Sequence, residues 1–150
     1  MKIILYVCAL LCSSGSVFAQ ISERAASTVA GQINAIMSDY TDTLVIPTNR
    51  TDGVIVISQK ALQAEKVTKI WTFIAASAIG KYFNDHPELS VKEIWFADIT
   101  DMKARPVRYS VLQLSVAKYV QSKVYAGAMD IEDGQAKVWD SLVRQTKEIK

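Results

Sequence analysis

The segment from Val67 to Phe83 (VTKIWTFIAASAIGKYF) is the feature that most constrains how this chain can fold. Its apolar residues recur three or four positions apart and share one helical face, a set that comprises Val67, Ile70, Trp71, Ile74, Ala78, Ile79 and Tyr82. Phe73, Ala76 and Phe83 lie off this stripe, so the helix is apolar around much of its circumference. A helix of this kind is usually buried on more than one side. We therefore predict a central helix against which the other elements pack.

The charges in this helix argue against insertion in a membrane. Lys69 and Lys81 leave eleven uncharged residues between them, whereas a membrane-spanning helix needs about 20. The small residues Ala75–Ala78 and Gly80 instead favour close packing against another element. We expect no transmembrane segment in the mature chain.

The N-terminus has the three regions of a secretory signal peptide. Lys2 supplies a positive charge, and Ile3–Leu11 form an apolar stretch of nine residues. A stretch of small residues follows, and its Val17 and Ala19 occupy the −3 and −1 positions of a cleavage site. The pattern therefore predicts an exported protein that is cleaved after Ala19.

Cleavage at this site would leave a mature chain without cysteine, because Cys8 and Cys12 both lie in the removed segment. Disulfides, thiolate catalysis and cysteine-ligated metals would then be excluded together. About 130 residues would remain, which is the length of one typical domain. We therefore expect residues 1–19 to be a signal peptide and residues 20–150 to form a single periplasmic or secreted domain.

The charge of the chain is nearly balanced, with 17 Lys and Arg against 15 Asp and Glu and a net charge of +2. A nucleic-acid-binding protein normally carries a basic stripe. The nearest approach to one is Lys103, Arg105 and Arg108, and Asp98 and Asp101 lie close to them in the sequence. We therefore expect no nucleic-acid partner.

Two further helices are predicted on either side of the central one. An apolar stripe over Ser22–Tyr40 predicts an amphipathic helix with Ser22 as its N-cap. The central helix should run from about Lys60 to Asn84, where the sequence Asn-Asp-His-Pro ends it. A final helix is predicted over Asp130–Ile149, with Asp130 as its N-cap.

The remaining apolar runs predict strands. Leu44–Ile46 is a candidate edge strand that Pro47 ends, and Val54–Ile57 has the continuous β-branched pattern of a strand buried on both faces. Val91–Asp98 alternates as a strand, and Val107–Val111 is predicted to return beside it as the second strand of a hairpin.

Residues 112–125 fit two patterns. We favour a strand to about Gln113 followed by a helix over Ser115–Tyr125, and a long strand with a bulge is the alternative.

These elements predict an α+β fold, in which a small, antiparallel-rich mixed sheet packs on the long central helix in two layers with N- and C-terminal helices. A crossover through the central helix would place Val54–Ile57 and Val91–Asp98 parallel. A ferredoxin-like arrangement is compatible with this order, and its last strand would come from Val124–Met129.

Few side chains could support catalysis. His86 is the one histidine of the chain, and its position after a helix is typical of a cap. We find no catalytic, phosphate-binding or dinucleotide-binding motif, and we expect no metal and no cofactor.

Asn49-Arg50-Thr51 matches the N-glycosylation pattern, which would matter in a eukaryotic secretory protein.

The hairpin of the predicted sheet is the candidate binding site, because it combines an aromatic strand with charged residues in its loop. Its candidate residues are Trp95, Asp98, Asp101, Arg105, Arg108 and Tyr109. Our leading hypothesis is a small exported, non-enzymatic binding or accessory protein that contacts a protein partner or a ligand. One alternative is a small hydrolase that uses Asp98 and Asp101, and another is an oligomeric, envelope-associated structural subunit.

Overall fold

The structure is a computed structural model that describes residues 21–37, 42–47, 53–99 and 108–146. The predicted signal peptide, Asn49, Asp101 and Arg105 lie outside these ranges. Along the chain the elements are α1 (Glu23–Met37), β1 (Leu44–Pro47), β2 (Gly53–Ile57), a short 3₁₀ turn (Ala61–Gln63), α2 (Glu65–Asp85), β3 (Glu93–Asp98), β4 (Arg108–Gln113), α3 (Leu114–Tyr125), α4 (Ile131–Asp140) and β5 (Val143–Thr146).

The five strands form one mixed sheet in the order β1-β2-β3-β4-β5. β2 and β3, the strands on either side of α2, are parallel neighbours, and Val54 lies opposite Ile94. The other three pairs are antiparallel. The predicted α+β class, with an antiparallel-rich mixed sheet on a long central helix, is therefore confirmed.

The two faces of the sheet have different partners. Ile94, Phe96 and Leu112 belong to the main core together with buried residues of all four helices. Trp95 and Val111 point to the opposite face, where they form a second cluster made of strand residues. The helices described here therefore cover one face of the sheet, as expected for a two-layer fold.

The central helix is confirmed, although it begins at Glu65 rather than near Lys60. Ser58 prevents the earlier start, because its hydroxyl accepts a hydrogen bond from the Ala61 amide at 3.1 Å and so stabilises a 3₁₀ turn. Ala64 then adopts extended geometry (φ −143°, ψ 132°) and separates this turn from α2. A side chain directly after β2 thus overrides the helical propensity of the segment.

The N-terminal elements follow the sequence prediction. Ser22 caps α1, since its hydroxyl accepts a hydrogen bond from the Ala25 amide at 3.2 Å. β1 lies at an edge of the sheet and includes Pro47, as the rule that confines proline to edge strands requires.

The C-terminal prediction was wrong. A single helix was expected over Asp130–Ile149, but α4 ends at Asp140 and residues 143–146 form β5. The predicted cap at Asp130 is present, because its carboxylate accepts a hydrogen bond from the Asp133 amide at 2.7 Å. Beyond α4, the open edge of β4 offers backbone hydrogen-bonding groups to β5. A local pattern cannot reveal this distant partner.

Residues 112–125 adopt the arrangement that we favoured, a strand followed by a helix, and not a long strand with a bulge. β4 ends at Gln113 and α3 begins at Leu114. The strand expected over Val124–Met129 does not form, because α3 continues to Tyr125 and Gly127 then turns the chain at φ 71°. The ferredoxin-like arrangement is not adopted either, since β2 and β3 are direct neighbours, whereas a split βαβ unit separates its parallel strands.

The small residues of the central helix allow a close contact with α3. A Cβ atom added to Gly80 would lie 2.7 Å from the carbonyl oxygen of Ala117, so the two backbones approach each other directly.

Within the described residues, no helix is long and apolar enough to cross a membrane.

Candidate functional site

A cleft of about 430 Å³ lies where the parallel strands end. Leu62, in the 3₁₀ turn that follows β2, lines one side, and Asp98, the last residue of β3, lines another. α2, β4, α4 and β5 complete the wall. In sheets with parallel strands and crossover helices, ligands commonly bind beyond the carboxyl ends of the strands. The position of the cleft is therefore typical of a binding site.

Aromatic rings from α2 and β3 form the floor of the cleft. Trp71 is fully buried, and its ring meets that of Phe96 edge to face at a centroid distance of 5.4 Å. The Nε1 group of Trp71 donates a hydrogen bond to Oγ1 of Thr43 at 2.9 Å. The indole is thereby held in one orientation, which makes the floor rigid and apolar.

The hydroxyl groups that α2 contributes to the wall are already engaged. Thr68 Oγ1 donates to the carbonyl oxygen of Ala61 at 2.7 Å, and it also lies 3.0 Å from the carbonyl oxygen of Ala64. Thr72 Oγ1 donates to the carbonyl oxygen of Thr68 at 2.7 Å. Both hydroxyl protons are used in hydrogen bonds to backbone carbonyl groups, so these side chains shape the cleft without offering it a donor.

Three charged side chains lie at the rim. Asp98 and Arg108 are opposite each other in the β3–β4 pair, and Arg144 comes from β5. Arg108 and Arg144 are both exposed. Two guanidinium groups against one carboxylate leave an excess of positive charge at this rim, which favours anions.

Four polar side chains of the cleft have no partner in the part of the chain that the structure describes. Arg108 and Arg144 make no ion pair there, and the Ser110 hydroxyl and the indole Nε1–H of Trp139 make no hydrogen bond there. Ser110 and Trp139 are only partly exposed. Because partly buried polar groups normally find partners, the Ser110 hydroxyl and the Trp139 indole are available to a ligand. The two guanidinium groups are accessible to the same ligand because they are exposed.

The predicted site residues divide between the cleft, the opposite face of the sheet and the undescribed loop. Asp98 and Arg108 line the cleft. Tyr109 also borders it, but its ring belongs to the cluster on the opposite face of the sheet. Asp101 and Arg105 belong to the loop outside the described ranges, so their placement stays a prediction.

Trp95 does not belong to the cleft. It is fully buried on the other face of the sheet, where its Nε1 donates to Oε2 of Glu93 at 3.0 Å. The ring of Tyr109 packs against it at a centroid distance of 5.3 Å, and burial raises the pKa of the Tyr109 hydroxyl. Trp95, which was a candidate binding residue, is therefore not accessible to a partner or a ligand.

His86 lies far from the cleft. It follows the last residue of α2, and the helical rise of 1.5 Å per residue places it about 21 Å from Thr72. Its Nδ1 is 3.2 Å from Oε1 of Glu88, and its ring packs on Tyr82. His86 therefore cannot share a reaction centre with Asp98.

Across the described ranges, no three His, Cys, Asp or Glu side chains come together to hold a metal ion.

Sequence reasoning missed three residues of the cleft. Arg144 and Trp139 fell within the predicted last helix and Ser110 within the predicted returning strand, and none of the three was among the candidate residues. The one available signal for Arg144 was the pair of β-branched residues, Val143 and Thr146, beyond a helix that Ser141 can end. A four-residue segment is too short for this signal to outweigh an apolar helical stripe.

No known protein family, curated protein sequence or solved structure matches this chain significantly. A fold by itself does not specify a function, so the residues of the cleft must carry the functional interpretation.

Proposed function

We propose that this is an exported, non-enzymatic protein that binds a small ligand in the cleft between the sheet and helices α2 and α4. The observation that carries the proposal is the meeting of unpartnered polar side chains from three separate elements, β4, α4 and β5, above an aromatic floor. Export is supported by the signal-peptide pattern of the first nineteen residues.

The size and shape of the cleft favour a small molecule. Its volume of about 430 Å³ falls within the range of about 300–1,000 Å³ that is typical of small-ligand pockets. A protein partner was the other expectation, and Trp95 was one of the residues of its predicted site. Because that side chain is fully buried, Trp95 itself gives no support to a protein interface at the hairpin, and a protein partner stays a prediction.

The chemistry of the wall favours binding over catalysis. Asp98 is the one carboxylate among the described residues that line the cleft, and no His, Cys, Lys or Glu is among them. General acid–base catalysis usually needs a pair of groups with different pKa values, and nucleophilic catalysis needs a base beside the nucleophile. The described wall contains neither arrangement.

Fragment screening by NMR tests the proposal. We expect some small fragments to shift the backbone amide signal of Ser110 and the indole signal of Trp139. A Ser110→Trp substitution should fill the cleft and abolish these shifts, whereas Ser90→Trp, on an exposed loop residue, should preserve them. Thermal unfolding identifies a variant that fails to fold. The proposal is wrong if no fragment shifts these two signals in the wild-type protein.

One observation favours a second function, self-association through the helical layer. Ile36, Tyr125 and Ile131 are 67%, 85% and 58% exposed, and they border an apolar groove of about 610 Å³ beside α2. Exposed apolar surface of this kind often marks an interface, and here we propose that a second copy of the chain covers it. This is the oligomeric subunit that we considered from the sequence.

Sedimentation analysis distinguishes this second function from the first. We expect a dimer that the Ile131→Glu substitution dissociates, whereas Leu44→Glu, at an equally exposed residue of β1, should leave the dimer intact. A monomer at every concentration would exclude self-association without affecting the cleft proposal.

A further inference from the structure

The available polar groups of the cleft are mainly hydrogen-bond donors. Arg108, Arg144 and the indole nitrogen of Trp139 can only donate, and the Ser110 hydroxyl can both donate and accept. None of the four has a partner in the described part of the chain. Asp98, the carboxylate of the wall, is not free, because it already takes part in an interaction. A ligand that satisfies this set must therefore supply acceptors.

The sheet brings the two guanidinium groups toward one point. Ser110 lies opposite Arg144, and Arg108 lies opposite Thr146. Arg108 and Arg144 are therefore diagonal neighbours on one face, at a typical separation of about 7–8 Å. Long side chains reach a common group across this distance. Ser110 lies two residues from Arg108 on the same face. Its hydroxyl and the two guanidinium groups can therefore contact one ligand group together.

Arginine pairs of this kind recognise oxyanions. The planar guanidinium group matches the geometry of a carboxylate or phosphate and forms two parallel hydrogen bonds with it. A neutral carbonyl would satisfy one or two donors but would leave the excess positive charge of the rim uncompensated. The charged head of the ligand should therefore be anionic.

The rest of the ligand meets apolar surface. Trp139 is partly exposed on the wall. Leu142, three residues farther along the chain, also lines the cleft and packs against the main core, to which Trp71 and Phe96 belong. An aromatic wall offers a flat face on which another ring can stack. A flat, apolar body thus fits deeper in the cleft than the anionic head.

We infer that the ligand is a small organic anion, with a carboxylate or phosphate head between Arg108 and Arg144 and a flat apolar body against Trp139. This inference rests on the proposed binding function and names the chemical class of its ligand. Ser110 and the indole nitrogen of Trp139 hydrogen bond to the oxygens of the head.

Four related probes test the ligand class on the full chain. Phenylacetate and phenyl phosphate carry the two anionic heads, phenylacetamide is a neutral analogue, and phenethylamine is a cation. We expect NMR titrations, followed at the Ser110 amide and the Trp139 indole, to show about tenfold tighter binding of at least one anion than of the amide, with the amine weakest. The preferred anion identifies the head as carboxylate or phosphate.

Charge substitutions test the role of each arginine. Arg108→Gln and Arg144→Gln should each weaken anion binding about five- to tenfold and leave amide binding unchanged. Arg24→Gln, on the exposed surface of α1, is the matched control and should bind like the wild type. Binding of the anions should also weaken as the salt concentration rises.

The possible outcomes separate the two proposals. Equal affinities for phenylacetamide and both anions in the wild-type protein would refute an anionic ligand while leaving a ligand-binding cleft in place. If none of the four probes shifts the Ser110 or Trp139 signal, the binding function fails as well. The comparison of probes needs no variant, so it stands even if a substitution disturbs folding.

Discussion

Ser110 of β4 and Arg144 of β5 lie directly opposite each other in the sheet, and both side chains line the cleft. Their pairing fixes the position of β5 and adds a second guanidinium group to the rim. The geometry of the candidate site therefore depends on the pairing of these two strands.

A cross-strand disulfide tests this pairing. Opposed residues of antiparallel strands have Cα atoms about 4.5–5.5 Å apart, which suits a disulfide bond. With Cys8 and Cys12 replaced by serine, we expect the Ser110→Cys, Arg144→Cys protein to oxidise fully. The cross-link should raise the free energy of unfolding by about 2–4 kcal/mol. Mass spectrometry of proteolytic fragments identifies the bond.

The matched control moves the second cysteine by one residue. Val143 is adjacent to Arg144 but lies opposite Val111, on the other face of the sheet. The Ser110→Cys, Val143→Cys protein should keep its thiols free. Equal cross-linking in the two proteins would contradict the register of β4 and β5.

Thr43 should matter for stability because it holds the cleft floor. Its Oγ1 accepts the hydrogen bond from Nε1 of Trp71 at 2.9 Å, and both side chains are buried. Thr43→Val leaves the indole donor unsatisfied, so we expect the free energy of unfolding to fall by about 1–3 kcal/mol. Chemical denaturation measures this change.

The exposed Thr28 provides the control for this substitution. Its hydroxyl donates to the carbonyl oxygen of Arg24 on the surface of α1, so Thr28→Val should change stability by about 0.5 kcal/mol or less. Similar losses in both variants would show that the buried indole does not depend on Thr43.

Glycine substitutions in two helices should have opposite effects. Gly31 of α1 has open space around the position of a Cβ, so Gly31→Ala should raise the free energy of unfolding by about 0.5–1 kcal/mol. At Gly80 the added carbon would meet the Ala117 carbonyl oxygen at 2.7 Å, so Gly80→Ala should lower stability by about 1–3 kcal/mol. Thermal unfolding of both variants measures the difference. Stabilisation by Gly80→Ala would exclude the close contact of α2 and α3.

Asp42 should make stability depend on pH in the acid range. Desolvation alone would raise its pKa, but hydrogen bonds from the Lys60 amide (3.1 Å) and the Ser58 hydroxyl (2.8 Å) outweigh this effect and lower the pKa below the usual 3.8. A carboxylate whose pKa is lowered in the folded state contributes stability above its unfolded pKa, and the contribution is lost as the pH falls through the folded pKa.

The Asp42→Asn variant tests this dependence. Its deficit in the free energy of unfolding, relative to the wild type, should be largest above about pH 4 and should shrink at lower pH. Ser58→Ala removes one of the donors and should make the pH dependence smaller. Parallel stability curves for the wild type and Asp42→Asn through the acid range would contradict the role of Asp42.

Local patterns were sufficient for most elements of the fold. The apolar circumference of α2, the Ser22 cap of α1 and the alternation of β3 are short-range properties, and each appears where it was predicted. The start of α2 was predicted too early because the Ser58 hydroxyl stabilises a 3₁₀ turn there. Asp98 and Arg108 were found from the sequence because the two ends of a hairpin meet.

The sequence by itself determined which residues share a strand face, because side chains alternate along a strand. It placed Trp95 on one face and Ile94 and Phe96 on the other, but it did not determine which face the helices cover. That choice came from the packing of α2 against Phe96. Only the tertiary structure made residues 143–146 a strand, because their hydrogen-bonding partners on β4 are distant in sequence. The cleft and its second arginine exist because of that pairing.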